Sequence, residues 1–111
     1  METESLPIAC LLTAPELQER RRTVLQKFRS AVTEIKELED GYSYSLPADG
    51  ERLSELAHLV NLERQCCPFL RFHITVEPAG GPIVLVMTGP AGTKEFLEAT
   101  FHQIPPTDAI G

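Results

Sequence analysis

The stretch Glu63-Arg64-Gln65-Cys66-Cys67-Pro68-Phe69 decides how the chain folds, because it ends one helix and begins a strand. Before it, apolar residues recur at helical spacing, which predicts a helix over about residues 50–66. Pro68 disfavours helical geometry at the residue before it and therefore ends that helix. After it, apolar and polar residues alternate, which predicts a strand whose apolar face is formed by Leu70, Phe72, Ile74 and Val76.

The first half of the chain predicts a similar helix and a hairpin. Thr13-Ala14-Pro15-Glu16 is typical of a helix start, with a Thr N-cap, a Pro in the first turn and a Glu at the capping-box position. The apolar spacing that follows predicts a helix over about residues 14–30. The turn signal Glu39-Asp40-Gly41, flanked by β-branched and alternating residues, predicts a β-hairpin over about residues 31–46.

After the central stretch, the pattern of helix and hairpin is completed. Pro78-Ala79-Gly80-Gly81-Pro82 predicts a turn, the apolar run after it a returning strand, and Thr93 the start of a last helix. The order α-β-β-α-β-β-α predicts a single α+β domain over residues 1–111, with an antiparallel four-stranded sheet and its helices on one face. Residues 1–12 are expected to form an extended lead-in and residues 103–111 a frayed tail.

Composition restricts the classes of function. The net charge of −6 argues against general binding to nucleic acid, which needs an excess of basic side chains. The one basic run, Arg20-Arg21-Arg22, is expected to lie on a solvated helix face. No apolar stretch has the length of a membrane span, and the acidic N-terminus lacks the basic region of a signal peptide. We therefore expect a cytoplasmic protein without a membrane partner, whose thiols are reduced.

The predicted topology brings the three cysteines to one end of the domain. If every connection reverses direction, the helix over residues 50–66 ends where the helix over residues 14–30 begins. Cys10 precedes the first helix, whereas Cys66 and Cys67 close the second. The positive end of the first helix would favour the thiolate of Cys10.

Glu63 lies one helical turn before the vicinal cysteines, between the apolar stripe and Cys66. A carboxylate at such a position is expected either to pair with a cation, such as Arg64 or Arg71, or to take part in a site.

Four motifs together form a pattern across residues 8–97: Ile8-Ala9-Cys10, Thr13 with Glu16, Glu63 to Phe69, and Leu85-Val86-Met87-Thr88-Gly89-Pro90. This pattern resembles a family of short, uncharacterised bacterial proteins associated with mercury- and arsenic-handling gene neighbourhoods. In this sequence the resemblance marks Cys10, Cys66 and Cys67. It implies the handling of soft metals and no particular mechanism.

Two functional hypotheses follow, and a structural role stands beside them. In the first, Cys10, Cys66 and Cys67 bind one soft metal or metalloid ion such as Zn, Hg or As, because thiolates select such ions. Possible surrounding residues are Glu63, Arg64 and His73. In the second, the protein is a thiol-redox protein with Cys10 as nucleophile and Cys66 or Cys67 resolving. The structural alternative is an interaction module whose cysteines are core residues.

The sequence contains no evident catalytic arrangement, which favours a non-enzymatic function. The polar face of the strand after Pro68 carries Arg71, His73 and Thr75, and a second subunit could cover it. A homodimer is therefore a further expectation.

Overall fold

The computed structural model describes residues 14–102 and confirms the predicted order of elements. They are α1 (Pro15–Ala31), β1 (Glu34–Glu37), β2 (Gly41–Leu46), α2 (Arg52–Cys66), β3 (Arg71–Val76), β4 (Ile83–Thr88) and α3 (Thr93–Phe101). The lead-in expected over residues 1–12 and the tail expected over residues 103–111 lie outside the described residues, as does Cys10.

The four strands form one antiparallel sheet in the order β1-β2-β4-β3. The central strands β2 and β4 are in register at Tyr44 and Leu85. Their inward-facing side chains are buried on a single face: Tyr42, Tyr44, Leu46, Ile83, Leu85 and Met87. The core on that face includes side chains from all three helices, so the predicted α+β fold with helices on one face is confirmed.

Helix α3 is attached to β2 by two polar contacts beneath it. The Tyr42 hydroxyl donates to the Glu98 carboxylate, and the Tyr44 hydroxyl lies 2.9 Å from Nε2 of His102. Burial raises the pKa of Tyr44, so its hydroxyl stays protonated. Both tyrosines therefore combine core packing with a satisfied polar group.

The helix boundaries differ slightly from the predictions. Helix α1 begins at Pro15 after the N-cap residue Ala14, which has no side-chain capping bond. Helix α2 begins at Arg52 because Gly50 has a φ of +52°, outside the helical region. Within residues 14–102, no helix has both the length and the apolar character needed to cross a bilayer.

The two edge strands are much less buried than the central pair. In β3, Phe72 is half-buried, but Ile74 and Val76 are 37% and 54% exposed. These side chains lie on the helix side of the sheet, in register with Leu85 and Ile83 of β4. The predicted apolar face of β3 is therefore present but uncovered beyond Phe72, because the helices cover the central strands.

Candidate thiol site

The vicinal cysteines are held in the core by the turn that ends α2. Cys67 is the C-cap residue, and its backbone N–H donates to the carbonyl of Glu63 at 2.6 Å. The N–H of Leu70 then donates to the carbonyl of Cys67 at 3.1 Å and leads the chain into β3. Both cysteine side chains are fully buried as a result.

The two neighbouring cysteines are in different oxidation states. Cys66 is disulfide-bonded, whereas Cys67 is a free thiol. The expectation that all thiols are reduced is therefore wrong for Cys66. Its bonding partner is not Cys67, the only other cysteine within residues 14–102. Adjacent cysteines are poorly placed to bond to each other, since their Cα atoms are only about 3.8 Å apart.

Glu63 forms a buried ion pair with Arg21 of α1. The guanidinium Nε donates to Oε2 at 2.6 Å and Nη2 donates to Oε1 at 2.9 Å. The Glu63 side chain is completely buried, and that of Arg21 is 16% exposed. The two hydrogen bonds of such a bidentate pair offset the free-energy cost of removing the carboxylate from water.

The sequence-based choice of Arg64 or Arg71 as partner of Glu63 was wrong. Arg64 is exposed and donates to the side chain of Asn61 at 3.0 Å, and Arg71 is exposed on the edge strand β3. The expectation that the whole basic run lies on a solvated face was also wrong for Arg21. Its flanking arginines are exposed, but the rotation of about 100° per helical residue turns Arg21 towards α2.

A signal for Arg21 was present in the sequence. Arg21 lies four residues before Leu25 and seven before Phe28, which are the buried residues of α1. A residue at that spacing belongs to the apolar stripe, so a charge there must either reach the surface or find a partner. The basic run concealed this position.

The thiol of Cys67 is bonded to the same carboxylate. Its Sγ donates to Oε1 of Glu63 across 3.7 Å. Burial and the negative charge of Glu63 raise the pKa of Cys67 to about 12, and Arg21 opposes this only in part. At neutral pH the Cys67 side chain is therefore a neutral thiol, which is a poor nucleophile and must lose its proton before it can bind a metal ion.

The end of α2 meets the beginning of α1, as the topology argument predicts. Arg21 lies in the second turn of α1, and Glu63 lies in the last turn of α2. The loop after β4 reaches the same end, since a Cβ added at Gly89 would lie 3.1 Å from the carbonyl oxygen of Phe69. The convergence of Cys10 on this end lies outside the described residues and stays a prediction.

The other side chains expected around a metal do not surround the cysteines in the described part of the chain. His73 is exposed on β3 and Arg64 points to solvent. Residues 14–102 contain no group of three metal-binding side chains. A three-thiol site would therefore need Cys10 as well as a reduced Cys66.

Comparisons of the chain with protein-family models, curated proteins and solved structures give no match. The functional interpretation therefore depends on the geometry and oxidation state of the cysteines.

Proposed function

We propose that the cysteine-bearing end of the fold is a redox-controlled thiol site. In its oxidised form Cys66 is held in a disulfide with Cys10. In its reduced form Cys10, Cys66 and Cys67 bind one soft metal or metalloid ion, such as Zn(II), Hg(II) or As(III). The observation that carries this proposal is the pairing of a disulfide-bonded Cys66 with a free thiol at the next residue.

Cys10 is the partner because it is the remaining cysteine of the chain once Cys67 is free. The contact of Arg21 with Glu63 supports this choice, since it brings the beginning of α1 to the end of α2. Cys10 precedes α1 by only a few residues. A bond from Cys66 to a segment that directly precedes α1 is therefore compatible with the helix packing.

The raised pKa of Cys67 keeps the oxidised form stable. A neutral thiol attacks a neighbouring disulfide slowly, because the thiolate is the nucleophile. Exchange with Cys67 would only move the disulfide within the protein, so net reduction requires an external thiol or dithiol. Its thiolate attacks a sulfur of the bond, the other cysteine leaves, and a second reductant thiol resolves the mixed disulfide. The protein gains two electrons and two protons, and the reductant becomes a disulfide.

Reduction would convert a closed site into a soft-ion site. Two thiols are released beside a third, and three thiolates suffice for a trigonal site for a soft ion. Binding displaces the thiol protons, as it does for thiol ligands generally. The Glu63 carboxylate already accepts the hydrogen bond from Cys67, so it is placed to take up the Cys67 proton.

Thiol counting tests the redox part of this proposal. The protein is equilibrated in glutathione buffers of graded redox ratio, quenched with acid, denatured and labelled with N-ethylmaleimide for mass spectrometry and peptide mapping. We expect one label per chain, on Cys67, in oxidising buffers and three labels in reducing buffers. The transition should follow a two-electron Nernst curve.

Two variants show which cysteines form the disulfide. Cys66→Ser should carry two labels at every redox ratio, and Cys67→Ser should pass from no label to two. Circular dichroism at both extremes should show the same fold. If wild-type Cys66 takes the label in every buffer, the site has no redox function and its cysteines are core residues.

A further inference from the structure

The two edge strands of the sheet differ in length and in charge. Strand β1 has four residues, three of them charged: Glu34, Lys36 and Glu37. Short, charged edges are the usual protection against pairing with another chain. Strand β3 has six residues with neither Lys nor Pro, and it leaves Ile74 and Val76 exposed. Among the described residues, the edge formed by β3 is therefore less protected than that formed by β1.

The backbone of β3 presents a regular set of unpaired groups along this edge. The N–H of Glu77 donates to the carbonyl of Pro82 at 3.2 Å, so the odd-numbered residues of β3 face β4 with their backbone groups. The backbone N–H and C=O groups of Phe72, Ile74 and Val76 therefore point outwards. No strand within residues 14–102 pairs with them.

In one symmetric register of two β3 strands, all of these backbone N–H and C=O groups can form hydrogen bonds. In an antiparallel pair of identical strands centred on Ile74, that residue lies opposite the partner subunit's Ile74. Phe72 then lies opposite the partner subunit's Val76. Every backbone group pointing outwards thus meets another one, and the apolar side chains continue the helix-side face of the sheet across both subunits.

The charges of β3 fit the same register. Arg71 lies opposite the partner subunit's Glu77, and the two-fold axis repeats this pair. Both side chains are exposed, and neither forms an ion pair in the part of the chain that the structure describes. Opposite charges placed directly across from each other stabilise an antiparallel pair.

We propose that two copies of the chain associate through the outer edge of β3, centred on Ile74, to form one eight-stranded antiparallel sheet. This assigns the homodimer to the strand edge rather than to the polar sheet face. The described cysteines, Cys66 and Cys67, do not belong to β3, so the interface is argued independently of the proposed thiol chemistry.

Sedimentation equilibrium under reducing conditions tests this proposal, and two matched substitutions locate the interface. We expect a wild-type dimer. Ile74→Lys should give a monomer, because the two introduced lysines face each other on the axis. Ile35→Lys should leave the dimer intact: Ile35 is 43% exposed, lies on the same face and belongs to the other edge strand. Circular dichroism checks that both variants are folded.

Charge reversal tests the register without touching an apolar residue. Arg71→Glu should raise the dimer dissociation constant at least about tenfold, because like charges then face each other twice. The double variant Arg71→Glu/Glu77→Arg should return it to within about threefold of wild type. A monomeric wild type at about 100 µM, a dimer in Ile74→Lys, or no recovery in the double variant would each overturn the proposal.

Discussion

Arg21 and Glu63 join the beginning of α1 to the end of α2 through a bidentate ion pair, with N–O distances of 2.6 and 2.9 Å. The same carboxylate accepts the thiol hydrogen bond of Cys67. One buried carboxylate thus connects the packing of the two helices to the end of the fold that carries the vicinal cysteines. Because Arg21 and Cys67 both bind this carboxylate, we expect the free energy of unfolding and the reactivity of the Cys67 thiol to depend on each other.

Replacing Arg21 by Met should destabilise the protein by about 3 kcal/mol, because the variant leaves the buried Glu63 carboxylate without its cation. Urea unfolding monitored by circular dichroism measures the change. Arg22→Met is the matched control: Arg22 is exposed and pairs with Glu19 on the surface. It should change the free energy of unfolding by less than about 0.5 kcal/mol.

The double variant Arg21→Met/Glu63→Met separates the charge from the packing. It removes both charges, so its free energy of unfolding should lie closer to wild type than that of Arg21→Met. Equal effects of Arg21→Met and Arg22→Met would show that the ion pair contributes nothing particular to stability.

The thiol of Cys67 should be inert in the folded protein. It is fully buried and its pKa is raised to about 12, so only about one molecule in ten thousand carries the thiolate at pH 8. A disulfide reagent such as dithionitrobenzoate, added to oxidised protein at pH 8, should react at the rate of unfolding. In denaturant it should react at once. Rapid reaction of native Cys67 would contradict the burial and the raised pKa together.

The raised pKa of Cys67 also predicts loss of stability in alkali. An ordinary thiol has a pKa of 9.0, so the unfolded chain loses this proton at lower pH than the folded protein. The contribution of Cys67 is complete below about pH 9 and is lost as the pH rises towards 12, with a limiting slope of about 1.4 kcal/mol per pH unit. Cys67→Ser cannot ionise in this range.

Urea melts between pH 9 and pH 10 measure that slope. Tyr42 and Tyr44 also begin to ionise in the unfolded chain in this interval, but they do so equally in wild type and in Cys67→Ser, so the difference between the two proteins isolates Cys67. The free energy of unfolding of wild type should fall more steeply than that of Cys67→Ser. Identical slopes would mean that Cys67 ionises equally well in the folded and unfolded chains.

Local sequence signals predicted the element order, since apolar spacing, Pro68 and the glycine-rich turns act over a few residues. They also placed Glu63 beside the vicinal cysteines. The partner of Glu63 could not be found in this way, because Arg21 is separated from it by 42 residues and is masked by a basic run. Ile74 and Val76 are exposed because β3 is an edge strand. The alternation of apolar and polar residues within one strand does not show where that strand lies in the sheet.

The oxidation state of Cys66 was missed for a related reason. A reducing compartment was inferred from the lack of a membrane span and of a signal-peptide pattern in the sequence, whereas disulfide bonding depends on which sulfur atoms the fold brings together. The positions of the two cysteines in the sequence do not show which of them is bonded. In the structure, one is bonded and the other is a thiol held by a carboxylate.

Native mass spectrometry of the protein with arsenite tests the central claim most directly, with competing glutathione added to the reduced protein only. Reduced wild type should retain one As(III) per chain, and the oxidised protein should retain none. Cys10→Ser and Cys66→Ser should weaken retention equally, whereas His73→Ala should leave it unchanged. If reduced wild type retains no arsenic, or the oxidised protein retains as much as the reduced one, the cysteines do not form a redox-controlled soft-ion site.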